Sequence, residues 1–238
     1  MIETQEDIAT IDGAITTFIV HPERGGPHPL ILFYMDAPAI REELRDMARR
    51  LATVGYYVML PNLYYRAGVM ELAGVGREEM FGYMNALTIA GIMSDTDALI
   101  ALAETRPAAS TSAIGAVGYC MSGQYAINAA ARHPERVAAA ASIYGVRLVT
   151  DEADSPHRVA RKAKGELYFA CAEHDHWAPP EMVAALKSAL AGTKVDAEVE
   201  NYPGVEHGFA FPARAAYDKT AAERHWERLI AIFRRRLG

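Results

Sequence analysis

Apolar residues along this chain follow two alternating rhythms. Short, nearly unbroken apolar runs occur at Leu30–Met35 (LILFYM), Tyr56–Leu60 (YYVML), Ala113–Gly118 (AIGAVG), Val137–Tyr144, Leu167–Ala172 and Val195–Tyr202. Runs this short and this continuous predict strands buried on both faces. Between them, 40–53, 94–105, 121–132, a stretch near 180–191 and 214–236 place apolar residues three or four apart. In the first of these Leu44, Met47, Ala48 and Leu51 share a side, and in the last Trp226, Leu229, Ile230 and Phe233 do, which predicts amphipathic helices. Residues 6–11 and 14–20 are β-rich runs around Asp12-Gly13, a two-residue hairpin signal.

Strands that alternate with helices imply a mostly parallel sheet covered by helices on both faces, here with an antiparallel N-terminal hairpin at its edge. No repeat, low-complexity stretch or linker divides the chain, so residues 1–238 read as a single α/β domain. A chain of this length hides roughly 70% of its unfolded surface on folding, enough for a substantial core. In open sheets of this kind ligands bind beyond the carboxyl ends of the strands.

Charge and cysteine usage narrow the function. A formal charge of −6 argues against nucleic acid, which selects a basic face. The two cysteines, Cys120 and Cys171, form no CxxC pair, so neither a disulfide nor a zinc framework is expected. The opening MIETQEDIAT lacks the basic and apolar regions of a secretory signal, and no apolar run reaches the roughly 18 residues of a membrane span. The expected compartment is the cytoplasm. The run Arg234-Arg235-Arg236 reads as a solvated helix end matched to the helix dipole.

The chemistry concentrates where AIGAVG runs into Gly118-Tyr119-Cys120-Met121-Ser122-Gly123 and then a helix. This is the G-x-Nu-x-G layout of a nucleophile elbow with a cysteine as nucleophile, the feature of an α/β-hydrolase fold. A sharp strand-to-helix turn strains the backbone at the nucleophile, so the positions two before and two after it must be small. Gly118 and Ser122 satisfy that demand, and Gly123 adds room for packing. A helix N-terminus favours the thiolate, and the Met121 N–H would point at a developing oxyanion. A pattern centred on Ser122 would need small residues at Cys120 and Gln124, so the cysteine fits better.

Partners are expected in the order nucleophile, acid, histidine. Asp175 follows the strand Leu167–Ala172 and His207 follows the strand ending at Tyr202. His207 would take the thiol proton while Asp175 holds the imidazole. Asp175 could instead cap the helix beginning near Pro179, and Glu173 is a second candidate acid. His174 and His176 form an H-x-H pair without a convincing third ligand, so no metal site is expected.

With these segments assembled, the chain resembles the dienelactone hydrolase family over nearly its whole length, through GYCMSG at 118–123, EHDHWAP at 173–179 and GVEHGF at 204–209. LPNLYYR at 60–66 and AYDKTAAERHWERL at 216–229 add to it. The resemblance implies a triad of Cys120, Asp175 and His207. It places Asp36 where prototype members carry a glutamate that helps activate the thiol, and it makes the backbone N–H of Ala37 the second oxyanion donor. Members that open dienelactones bind the substrate carboxylate through arginines. One such position is Phe211 here, and a second corresponds loosely to Arg77. The lost arginine argues against a carboxylate-bearing lactone. Phe209 and Phe211, with Tyr64 and Tyr65, suggest an apolar mouth, or else ordinary packing.

The expected activity is hydrolysis of small-molecule esters or lactones through an acyl-cysteine, with no cofactor and no nucleic-acid or membrane partner. The rival is a non-catalytic or redox-sensing protein that uses Cys120 as a sensing or binding thiol. The physiological substrate and the oligomeric state are not legible in the sequence.

Overall fold

The computed structural model describes residues 1–72 and 74–238. Backbone contacts gather these into two compact units, Met1–Ile114 and Gly115–Gly238. The elements are β1 (Ile2–Thr10), β2 (Gly13–His21), β3 (His28–Tyr34), α1 (Glu42–Val54), β4 (Tyr57–Pro61), α2 (Arg77–Ala86), α3 (Ile89–Glu104) and β5 (Ala109–Tyr119). There follow α4 (Gly123–Arg132), β6 (Val137–Ile143), α5 (Pro156–Val159), β7 (Glu166–His174), α6 (Pro180–Leu190), β8 (Ala197–Glu206) and α7 (Lys219–Leu237).

In the first unit the strands lie in the order β1-β2-β4-β3-β5. β1 and β2 form an antiparallel hairpin, β2 is also antiparallel to β4, and β4 is parallel to β3. The hairpin loop is Ile11-Asp12, because Gly13, with φ +136°, already pairs with Thr10. The expected turn at Asp12-Gly13 is therefore displaced by one residue. Hydrogen bonds within the turn and from a distant arginine explain the shift. Thr10 Oγ1 accepts from Asp12 N at 3.2 Å and donates to Gly13 O at 3.0 Å, while the Arg66 guanidinium grips the Asp12 carboxylate at 2.7 Å and the buried Asp95 at 2.8 Å. α1 buries Leu44, Met47, Ala48, Leu51 and Ala52 and stops at Gly55, whose φ of +118° only glycine adopts readily. α3 starts at Ile89, earlier than its apolar spacing indicated, because Thr88 caps it by accepting from Gly91 N at 3.1 Å. α2 buries no residue and has no apolar stripe, which is why the sequence did not announce it.

In the second unit the order is β5-β6-β7-β8, with β6, β7 and β8 parallel, and the whole is an eight-stranded, mostly parallel sheet. The β7–β8 register is interrupted between Ala172 and His174, just where both strands end. α7 begins at Lys219, later than the apolar spacing from 214 suggested, because Asp218 caps it by accepting from Ala221 N at 2.8 Å. Among the described residues no single helix is long and apolar enough to cross a membrane.

The arginine run closing α7 is not merely a solvated end. Arg235 Nε and Arg236 Nε reach Glu166 at 3.1 and 2.8 Å, and Arg236 also pairs with Asp196. Glu166 is buried at the start of β7, so these ion pairs fasten the end of α7 to the sheet. Burial pushes the Glu166 carboxyl up, and hydrogen bonds from Arg235 and Arg236 more than offset this, leaving it below its usual value of 4.5. Its stabilising contribution is therefore present above 4.5 and is lost as pH falls through the lower folded-state value. Glu166→Gln is expected to cost about 1–2 kcal/mol at neutral pH, the half-exposed arginines limiting the effect. Urea titrations at neutral pH and at acid pH check this, since the difference from wild type should close on acidification.

Candidate active site

The site in the second unit begins with a bend. β5 arrives with Tyr119 extended, and the backbone then turns at Cys120, which takes φ +55°, into a short helical turn over Cys120–Ser122 and on into α4. A side chain in this left-handed region costs of order 1–2 kcal/mol, a strain that the surroundings must enforce. They do so by removing alternatives. A Cβ on Gly118 would lie 2.0 Å from Ser122 O, and one on Gly123 would lie 2.3 Å from Ser142 Oγ and 2.6 Å from the Gly145 Cα. Gly145 is equally constrained, 2.1 Å from Ser142 Oγ by the same construction. The Cys120 carbonyl accepts from Gly123 N and, at 3.1 Å, from Val146 N, which locks the bend to the loop after β6. Cys120 keeps part of its surface exposed, while Met121 and Ser122 are buried. The Met121 N–H stands at the start of the turn, the end toward which a helix directs its donors.

Asp175 sits just past β7, and its carboxylate is fully used. Oδ1 accepts from Trp177 N at 2.8 Å and from Ala178 N at 3.0 Å, and Oδ2 accepts from His207 Nδ1 at 2.7 Å. The acid thus orders the loop that leads towards α6 and meets the imidazole, but it does not cap that helix, whose N-cap is Pro179 with no side-chain hydrogen bond. Glu173, the other candidate, points elsewhere: it is 53% exposed and accepts from Gly204 N at 2.6 Å, steadying the loop before His207.

His207 follows β8 directly and is only 12% exposed. Burial pushes its pKa down, but the Asp175 hydrogen bond and the neighbouring Cys120 sulfur outweigh this and raise it to about 9. Cys120 acts on the ring through a side-chain hydrogen bond and through its charge. Nε2 of His207 is buried and meets no group other than the Cys120 sulfur. The Tyr144 ring meets the imidazole edge-on at 4.9 Å. Tyr144 itself takes φ +37°, a strained residue at the end of β6 with no sequence signal of its own. Among the described residues no three His, Cys, Asp or Glu side chains converge as a metal site.

The remaining candidates are placed as follows. Phe209 and Phe211 are wholly buried, Phe209 stacked on Tyr202 at 4.9 Å and Phe211 against Tyr119 at 5.4 Å, so they pack the interior below His207 and form no open mouth. The others belong to the first unit. Asp36 is buried and held by Arg41 at 2.6 and 3.1 Å, a partner the sequence reading missed. Ala37 is buried, its carbonyl accepting from Tyr64 OH at 2.8 Å. Tyr65 OH donates to Asp95 at 2.8 Å, and Arg77 opens α2 with its guanidinium 5.4 Å from the Phe81 ring.

A mostly parallel sheet with β2 reversed, and a strained cysteine between β5 and α4, define the architecture of an α/β-hydrolase. The Dienelactone hydrolase family pattern matches residues 15–237, and the chain belongs to that family. It is 29% identical to a protein of Methylorubrum extorquens over 98% of this chain and 81% of that one, and 28% identical to one of Synechocystis over 94% and 92%. Both carry the provisional name carboxymethylenebutenolidase. Among solved structures, one from Klebsiella pneumoniae, provisionally named a dienelactone hydrolase, superposes with a TM-score of 0.90 at 24% identity over 98% of both chains. A metagenomic dienelactone hydrolase-like promiscuous phosphotriesterase superposes at 0.81 with 21% identity over 99% of each.

Two outcomes test this geometry. Gly118→Ala is expected to prevent formation of the bend, with soluble yield and melting temperature collapsing, since the clash is with backbone. Asp175→Asn should bring the His207 titration down from about 9, because it removes the charged partner that outweighs burial. Imidazole NMR titration reads the shift, and an unchanged value would refute the stated cause.

Proposed function

We propose that the chain hydrolyses small esters or lactones through a covalent acyl-cysteine formed on Cys120, with His207 as acid and base and Asp175 as its orienting partner. The observation that carries this reading is the buried Nε2 of His207, which meets no group other than the Cys120 sulfur, on a ring whose Nδ1 is tied to Asp175 and whose pKa Asp175 and Cys120 together raise. A buried nitrogen that faces only a thiol, a weak hydrogen-bonding group, costs free energy that a structural histidine would avoid. The relatives' provisional names point to the same bond class.

In this mechanism the Cys120 thiolate attacks the carbonyl carbon and a C–S bond forms. The Met121 N–H stabilises the oxyanion. On collapse the C–O bond breaks, and the leaving oxygen takes the proton of imidazolium Nε2. Neutral His207 then removes a proton from water, which attacks the thioester, and release of the acid restores the thiolate and imidazolium. The roles of Ala37 as second donor and of Asp36 in thiol activation rest on the family resemblance. A small-molecule substrate in the cytoplasm, with no cofactor, completes the reading.

Cys120→Ala should lower kcat/KM for a simple ester by at least about a thousandfold while leaving the melting temperature nearly unchanged. Intact-protein mass spectrometry after rapid mixing should show one acyl adduct on wild type and none on the variant. With alkyl esters, acylation should fall as pH rises through about 9, where His207 loses the proton it donates. A rate flat across that region would remove His207 as the acid.

A further inference from the structure

The His207 imidazole is tied firmly at one atom: Nδ1 donates to Asp175 Oδ2 at 2.7 Å, while Nε2 meets no group other than the Cys120 sulfur. A ring held by one firm bond and one weak thiol contact is still able to tilt. Tyr144 stands beside it, the two ring centroids 4.9 Å apart and their planes at 64°. Tyr144 is wholly buried and is itself fixed. Its N–H donates to Ala170 O in β7 at 2.7 Å, and its ring packs against Phe209 at 5.2 Å and Phe211 at 6.2 Å. The same residue borders the nucleophile. Its ring lies 5.9 Å from that of Tyr119, the residue before Cys120, and two positions further on the Val146 N–H donates to Cys120 O at 3.1 Å.

Tyr144 takes φ +37° although Gly145, to which a positive φ comes without strain, is the next residue. In the left-handed region a side chain leaves the backbone in a different direction from that of an extended residue, so the strain decides what the tyrosine ring faces. Resting on the reading of His207 as acid and base for Cys120, we infer that Tyr144 is a positioning residue, its ring the wall that keeps the imidazole plane with Nε2 turned to the sulfur. It acts through His207, and the ring plane rather than the hydroxyl does so. Without the wall the Asp175 bond stays and the imidazole tilts about it. A small displacement of Nε2 is enough to slow a proton transfer, which needs its donor and acceptor held in hydrogen-bond reach.

The test compares wild type with Tyr144→Phe, which keeps the plane, and Tyr144→Met, which keeps apolar bulk without it. With phenyl acetate the rate of the first phenol burst should fall roughly tenfold or more in Tyr144→Met and stay within about twofold of wild type in Tyr144→Phe. Imidazole NMR separates positioning from packing. His207 should titrate at about 9 in wild type and Tyr144→Phe, and between that value and the ordinary 6.5 in Tyr144→Met, because the sulfur's share of the rise is lost and the carboxylate's is kept. A slowed burst with an unmoved titration, no change in either, or a loss shared by Tyr144→Phe overturns the inference. Should Tyr144→Met not fold, wild type still decides: nuclear Overhauser contacts between the protons of the two rings are expected in solution, and their absence overturns the positioning role. If wild type releases no phenol while the titration moves in Tyr144→Met alone, the acyl-cysteine reading fails and the positioning of the ring stands.

Discussion

The geometry around Cys120 depends on a steric prohibition. Ser122 O leaves no space for any Cβ at Gly118, and Ser142 Oγ leaves none at Gly123 or Gly145. With those three positions reduced to backbone, β5 passes into α4 within a single turn, and Cys120 is left at φ +55° and only partly buried. The strain is local, and the interlocked neighbours around it sustain it.

Electrostatics then act on this frame. Burial alone would make His207 a weaker base than in water, and the raised value reflects the Asp175 carboxylate and the Cys120 sulfur overcoming that penalty. Asp175 has a wider duty than orienting a ring. Its two oxygens take three donors from two segments, so the loop after β7 and the loop after β8 are registered through one side chain. Glu173 adds a second tie between the same loops through Gly204 N. Beneath them Tyr144, Tyr202 and Phe209 form an aromatic floor, which accounts for the burial of residues that a sequence reading associates with a mouth.

Where sequence and structure part, long-range contacts account for several of the differences. The turn of the first hairpin slips by a residue because Arg66, far along the chain, clamps Asp12. The terminal arginines look solvated by their neighbours in sequence, yet Glu166 and Asp196 lie alongside them in space. Asp36 was legible as an acid after β3, but not its pairing with Arg41. α2 has neither buried residue nor apolar stripe, so no periodicity could reveal it.

The sequence by itself determined the alternation of buried strands and amphipathic helices, the cysteine bend and the order of its partners. Those depend on near-neighbour sterics and on the period of apolar residues, which are written along the chain. Only the tertiary structure decided that Asp175 rather than Glu173 meets His207, that Nε2 meets no group other than the Cys120 sulfur, that Phe209 and Phe211 are buried beneath the ring, and that Trp177 is partly exposed. Each of these turns on which side chains from distant segments share a few ångströms and how much solvent lies between them, quantities set by packing and not by spacing in the chain.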